Sequence, residues 1–210
     1  MEINKFKREK TSILNIGSGK LRNVKEIKNY INDDYFIIHL DYNYLNGYTS
    51  SYAENEHKIW LENNSNSKKE INVKCDIFEF LEKYIITFNV ITFFRFFEHI
   101  CRDKLLYFIY LLSTITEKDA VIDLVCPDFQ ILAKMILEEK PLKNPDFDKN
   151  DIIISTELFN EPDDPHLNIT TPDRIIRLFE YEGRFKNEYT ISPYFFDGRK
   201  IYFRSIIKRK

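Results

Sequence analysis

Cysteine is sparse in this chain and widely scattered. Cys75, Cys101 and Cys126 form no CxxC pair, so no zinc site and no other metal site is expected from spacing. Each cysteine reads as a small apolar residue in a core or at a strand end. A charge of one sign is also lacking. The 31 basic and 33 acidic side chains leave a formal charge of -2, which gives no global attraction to nucleic acid or to an anionic membrane. The C-terminal basic cluster, Lys208-Arg209-Lys210, reads as a solvated tail, with a local basic patch as the alternative. The N-terminal Met1-Glu2-Ile3-Asn4-Lys5 lacks an apolar signal core, and no apolar stretch reaches membrane-spanning length. These absences predict a soluble cytoplasmic protein in a reducing compartment, with no membrane partner. Internal repeats and a second-domain boundary are missing too.

What the chain has is a globular composition, with 43% apolar and 15% aromatic residues in 210. That length is enough for one domain with a sizeable core. Residues 1–11 read as a mobile lead-in and 12–210 as a single domain. Polar, Asn/Ser-rich residues interrupt it at 42–70, and a longer insertion lies at 129–170. The stretch that organises the rest is Ser12-Ile13-Leu14-Asn15-Ile16-Gly17-Ser18-Gly19-Lys20. A short apolar strand runs into two glycines one residue apart, and a helical pattern follows at about 22–32. Glycines in such a turn permit positive φ and close approach of a ligand to the backbone. The helix start behind them presents free N–H groups.

Further strands read from Tyr35-Phe36-Ile37-Ile38-His39-Leu40-Asp41, Ile71–Asp76, Phe88–Phe94 and Ala120–Asp128, with helical spacing between them. Glu117-Lys118-Asp119 reads as a turn, and a helix is expected at about 129–139. Thr171 as N-cap, Pro172 at the first position and Gly183 as stop define a helix at 172–182. Two β-rich runs, Glu188–Phe196 and Lys200–Ile207, meet at Asp197-Gly198, a hairpin signal. The alternation predicts an α/β fold, a three-layer Rossmann-like sandwich. Its seven-stranded sheet is mostly parallel and ends in an antiparallel hairpin. Ligands of such folds bind beyond the C-terminal strand ends. Gly17, Asp41, Asp76, Phe94 and Asp128 all fall there. Asp41 follows Gly19 by about 22 residues, a spacing that suits an acid bonding ribose hydroxyls. Asp76 either caps the next helix or holds a ligand amine.

This layout resembles the class I S-adenosylmethionine-dependent methyltransferases over about 12–207. Leu14-Asn15-Ile16-Gly17-Ser18-Gly19 is similar to the first motif, His39-Leu40-Asp41 to the second and Cys75-Asp76-Ile77 to the third. Phe97-Glu98-His99-Ile100 resembles the segment after strand four in many small members. Val125-Cys126-Pro127-Asp128 is similar to the end of strand five. Thr171-Pro172-Asp173 through Glu182-Gly183-Arg184-Phe185 resembles the helix and turn before the terminal hairpin. The resemblance implies S-adenosyl-L-methionine as cofactor. Gly17, Ser18 and Gly19 would face its methionine and ribose parts, Asp41 its ribose, and Asp76 and the Ile77 backbone its adenine, with Tyr42 a further cofactor-binding residue. Phe94 and Arg95 would line the methionine side, where aromatics also attract a sulfonium. Asn15 stands where many members carry an acid that holds a water or the methionine ammonium; it brings an acceptor without charge.

No Asn/Asp-Pro-Pro-aromatic segment follows strand four, which argues against the usual amino-methylating nucleic-acid and glutamine enzymes. The expected reaction is methyl transfer to an oxygen or nitrogen of a small-molecule, nucleotide or glycan acceptor. A protonated acceptor needs a base, and His99 and His166 are the candidates. Each has a structural alternative: ordering the Glu98 junction for His99, stabilising the Pro-rich loop for His166. A second function class stays open, an inactive methyltransferase-fold subunit with a binding or structural role within an oligomer or complex. A nicotinamide-binding domain is a third, weakened by the absent third glycine and the antiparallel hairpin.

Overall fold

The computed structural model describes residues 11–17, 27, 29–31, 35–41, 70–84, 86–137, 166–196 and 199–210. The expected features at 42–69, at 141–165 and at Asp197-Gly198 lie outside them. So does most of the first helix, of which Ile27 is helical and buried.

Runs dominated by β-branched and aromatic residues suit strands covered on both faces. Three such runs make the sheet centre: β1 (Thr11–Ile16), β2 (Tyr35–Asp41) and β4 (Phe88–Phe94). With β3 (Glu70–Lys74), β5 (Thr116–Pro127), β6 (Phe185–Phe196) and β7 (Arg199–Arg209) they form one seven-stranded sheet in the order β3-β2-β1-β4-β5-β7-β6. The β1–β2, β2–β3, β1–β4 and β4–β5 pairs are parallel. The β5–β7 and β6–β7 pairs are antiparallel. This is the three-layer, mostly parallel architecture expected from the sequence. Chain order runs outward to β3 on one side of β1 and outward through β4 and β5 on the other. The switch point therefore lies between the C-terminal ends of β1 and β4, where open α/β sheets hold their ligands.

The helices follow local signals. Asp76 precedes α1 (Ile77–Lys83), and its Oδ1 accepts from the N–H groups of Phe78 and Glu79 at 2.9 and 3.2 Å. α2 (Leu105–Ile115) follows two short 3-10 turns, Phe97–His99 and Arg102–Lys104. α3 (Phe129–Leu137) starts on Asp128, whose Oδ1 accepts from Gln130 N–H at 3.0 Å. α4 (Pro172–Glu182) has the expected Thr171 cap, Pro at its start and Gly183 at φ 83° as its left-handed stop.

Two strand boundaries differ from expectation. The residues Glu117-Lys118-Asp119, read as a turn, belong to β5, which begins at Thr116 straight after α2. The β4–β5 register jumps from Phe88↔Thr116 to Val90↔Val121, and Asp119 takes φ 63°, so the extra residues form a bulge. The Glu117 carboxylate holds it against β4 by accepting from Thr87 Oγ1 at 2.8 Å and Asn89 Nδ2 at 2.6 Å. The terminal hairpin is longer than read, because β6 starts at Phe185 and β7 runs on to Arg209, where these two residues pair.

One face of the sheet packs Leu14, Ile16, Ile38, Leu40, Ile91 and Phe93 against α1, α2 and α4 through Phe80, Phe108 and Phe179. On the other face, Ile13, Ile27, Ile37 and Val90 form one cluster. Phe94, Val125, Phe129, Leu132, Ile201 and Tyr202 form another, which buries α3.

Candidate active site

The rim at the switch point is built from the turns after β1 and β4. Gly17 sits at φ 65°, and its N–H donates to the Leu40 carbonyl at 2.9 Å, carrying the β1–β2 ladder one step past the strand. A Cβ here would meet Phe96 Cδ2 at 2.8 Å. Glycine is thus required twice, by its dihedral and by the ring lying on it. Arg95 also has a left-handed backbone, φ 54°, with its N–H donating to the Val125 carbonyl at 2.8 Å. A non-glycine residue in that region stores strain, which concentrates at functional rims. Its guanidinium lies over the Tyr202 ring, 5.6 Å from the centroid.

The predicted cofactor residues divide into three groups. Gly17, Asp41, Asp76, Ile77 and Arg95 all stand at or just past the C-terminal ends of β1 to β4. Asp41 is the half-buried last residue of β2, registered with Lys74, the last of β3. Asp76 caps α1, one of the two roles its position allowed. Asn15 and Phe94 are turned to the interior. Asn15 is fully buried in β1; its Nδ2 donates to His39 Nδ1 at 3.0 Å, and its Oδ1 accepts from Thr92 Oγ1 at 2.9 Å. That pairing makes His39 Nδ1 the acceptor nitrogen of its ring. Phe94 packs in the cluster around Phe129 and Tyr202. Ser18, Gly19 and Tyr42 lie outside the described residues.

The two candidate bases are brought together. His99 closes the turn after β4, and His166 lies on the segment leading into α4; their ring centroids are 4.8 Å apart at 74°. Backbone bonds hold this segment in place. Leu167 and Asn168 N–H both donate to the Glu98 carbonyl, at 2.9 and 3.0 Å. Thr170 Oγ1 donates to the Pro127 carbonyl at 2.6 Å, and its own carbonyl accepts from Phe129 N–H at 3.1 Å. The Phe129 ring also meets His166, 6.4 Å between centroids. Both histidines are half-buried, while Glu98 is wholly buried.

Charge around the pair is set by burial. The buried Cys126 thiol is pushed well up, first by loss of water and then by the negative charge of Glu98, so it is an inert neutral group. Burial also raises the Asp128 carboxyl, against two α3 N–H groups that stabilise its charge. Sequence reasoning named Glu98 only as part of the His99 junction. It did not single out Asn168 or Phe96. No local spacing marks any of them; only the packing of the β4 turn on the pre-α4 segment does.

No protein-family model matches the chain, and no curated protein is significantly similar in sequence. Solved structures are similar in fold. An S-adenosylmethionine-dependent methyltransferase from Archaeoglobus fulgidus superposes with a TM-score of 0.58 at 16% identity, over 95% of this chain and 86% of that one. A putative O-methyltransferase from Nostoc punctiforme gives 0.57 at 11% identity, over 96% and 53%. The plantazolicin methyltransferase BamL, in complex with a triazolic desmethylPZN analogue and S-adenosylhomocysteine, gives 0.59 at 10% identity, over 98% and 79%. The chain spans about half the length of the Nostoc protein. It has the Rossmann-like fold of these methyltransferases.

Proposed function

We propose that the protein binds S-adenosyl-L-methionine at the β1–β4 switch point and transfers its methyl group to an oxygen or nitrogen of a small-molecule acceptor. The observation that carries this reading is the convergence at one rim of a left-handed Gly17, a half-buried Asp41 and Asp76. The residues fit the cofactor. Gly17 supplies the left-handed turn at the end of β1, with Phe96 packed where a side chain would stand. Asp41 offers acceptors for ribose hydroxyls. Asp76 commits Oδ1 to α1, leaving Oδ2 for the adenine amine. Ile77 presents its backbone at the helix start, and Ser18, Gly19 and Tyr42 are assigned to the cofactor by sequence alone. Arg95 and the Phe94 strand end border the methionine side, and the buried Asn15 holds β1 beneath it. When bound, the cofactor supplies an electrophilic methyl on a sulfonium.

His99 and His166 are the catalytic groups of this reading, supported by their mutual contact after β4 and by the proton a protonated acceptor must lose. A small acceptor is supported by the fold neighbours, one of which is named for plantazolicin and one as a putative O-methyltransferase. Titration calorimetry with S-adenosylmethionine and S-adenosylhomocysteine tests the reading. Micromolar binding is expected, and Asp41→Ala should weaken it by about 1–3 kcal/mol through lost ribose hydrogen bonds. No heat at millimolar ligand would sink the proposal.

A further inference from the structure

We infer that Glu98, His99 and His166 form a binding site for one divalent first-row transition-metal ion, which holds the acceptor's oxygen or nitrogen beside the cofactor rim. The role assigned to the ion rests on the methyltransferase reading; the site itself does not.

The three side chains present one ligand atom each, all within 4.8 Å of one another. Tetrahedral ligand atoms about 2.1 Å from an ion lie about 3.4 Å apart, so closure asks the widest pair to approach by about 1.4 Å, within reach of side-chain rotation. Two imidazoles with one carboxylate leave open positions and select transition ions over magnesium or calcium, which prefer all-oxygen sets. The set is held from both sides. Glu98 and His99 lie in one 3-10 turn, and the two backbone bonds from Leu167 and Asn168 to the Glu98 carbonyl fix the His166 segment against it.

Two features point to a ligand here. The Glu98 side chain is wholly removed from water and lies in a donor set with two imidazoles, which a transition ion would join. Asn168, two residues past His166, is also buried, and neither end of its side-chain amide has a partner among the described residues. A water or acceptor atom on the ion would supply one. The place is suited to chemistry, because Phe96, next to this turn, lies on Gly17 of the proposed cofactor turn.

Bound to the ion, an acceptor hydroxyl becomes acidic and gives its proton to solvent. A lone pair of that oxygen forms the new bond to the methyl carbon. The S–CH3 bond breaks as it does so, and its electron pair stays on sulfur. His99 and His166 thus handle the proton through the metal.

The test is a Co2+ titration of the untagged full chain after chelation, read by visible absorption, with S-adenosylhomocysteine binding measured on the same sample. One equivalent of Co2+ is expected, without the near-ultraviolet thiolate band that cysteine ligation gives. His166→Gln, His99→Gln and Glu98→Gln should each weaken it by more than about 100-fold, beyond the loss of an outer-shell partner. X-ray absorption of the Zn2+ form provides a readout free of variants, with a nitrogen/oxygen shell and two imidazoles expected. Absence of stoichiometric Co2+ or Zn2+ binding, a sulfur shell, or unchanged affinity in all three variants would overturn the site and leave an imidazole–carboxylate pair. Metal binding without S-adenosylhomocysteine binding would overturn the cofactor reading and keep the site.

Discussion

The two faces of the sheet are built differently. Beneath α1, α2 and α4, the strands bury almost nothing but carbon, and Phe93, Phe97 and Phe108 meet edge to face at centroid distances of 5.8 and 5.9 Å. On the opposite face a polar row crosses four strands in register, His39–Asn15–Thr92–Asp123. The row continues to Tyr30, whose hydroxyl donates to Asp123 Oδ2 at 2.7 Å, and to Arg204, whose Nε donates to Oδ1 at 2.8 Å. The carbon face supplies stabilisation that has no direction. The polar row has direction: Asn15 reaches His39 and Thr92 only if β2, β1 and β4 are paired as found. A one-residue slip of β1 would move Asn15 into the aromatic face and leave its amide unsatisfied. The faces therefore divide the work between holding the sheet and fixing its register, and with it the relative heights of Gly17 and Arg95.

The comparison is broken most severely by Phe108→Ala. Phe108 is fully buried against Phe78, Phe93, Phe96 and Phe97, and the cavity should cost about 4 kcal/mol in urea unfolding. Next comes Asp123→Ala at about 3 kcal/mol, because it strands the Arg204 guanidinium and the Tyr30 hydroxyl. A double variant, Asp123→Leu with Arg204→Met, should recover much of that loss by replacing the pair with carbon. If the double variant is no more stable than Asp123→Ala, the polar row stabilises rather than specifies.

The smallest effect sharpens the distinction through pH. Burial, then the charge of Asp123, holds the Tyr30 hydroxyl protonated well above its ordinary range. The folded chain then keeps a proton that the unfolded chain releases above about pH 10, so stability is full below that pH and falls as pH rises. Tyr189, pushed up to about 12 by burial and then by Glu180, falls in the same window. Tyr30→Phe should cost about 1 kcal/mol at neutral pH and flatten part of the alkaline decline in urea-measured stability. Tyr189→Phe should remove a further part. An alkaline limb that Tyr30→Phe leaves unchanged would contradict the buried bond to Asp123.

Local chemistry explains why much of the fold was legible. The Thr171 cap, Pro172 start and Gly183 stop of α4 are decided within a dozen neighbouring residues, as is the Asp76 cap of α1. Apolar runs announce buried strands wherever they sit. The bulge at Glu117–Asp119 was not legible, because its partners lie far off in the chain, in Thr87 just before β4 and Asn89 within it. Asn15 was read by its motif position as a group of the ligand side. Its Nδ2 and Oδ1 reach His39 and Thr92 on neighbouring strands, through a register that no local pattern encodes.

The sequence by itself determined the strand and helix order, the parallel sheet with its terminal hairpin, and the glycine and acids at the strand ends. These follow from periodicity, capping and turn chemistry, which act over a few residues. Tertiary structure alone decided that Phe96 lies on Gly17, that a polar row crosses one face, and that His166 comes to Glu98 and His99. Such contacts join residues far apart in the chain, and they exist only once the sheet has fixed where each strand ends.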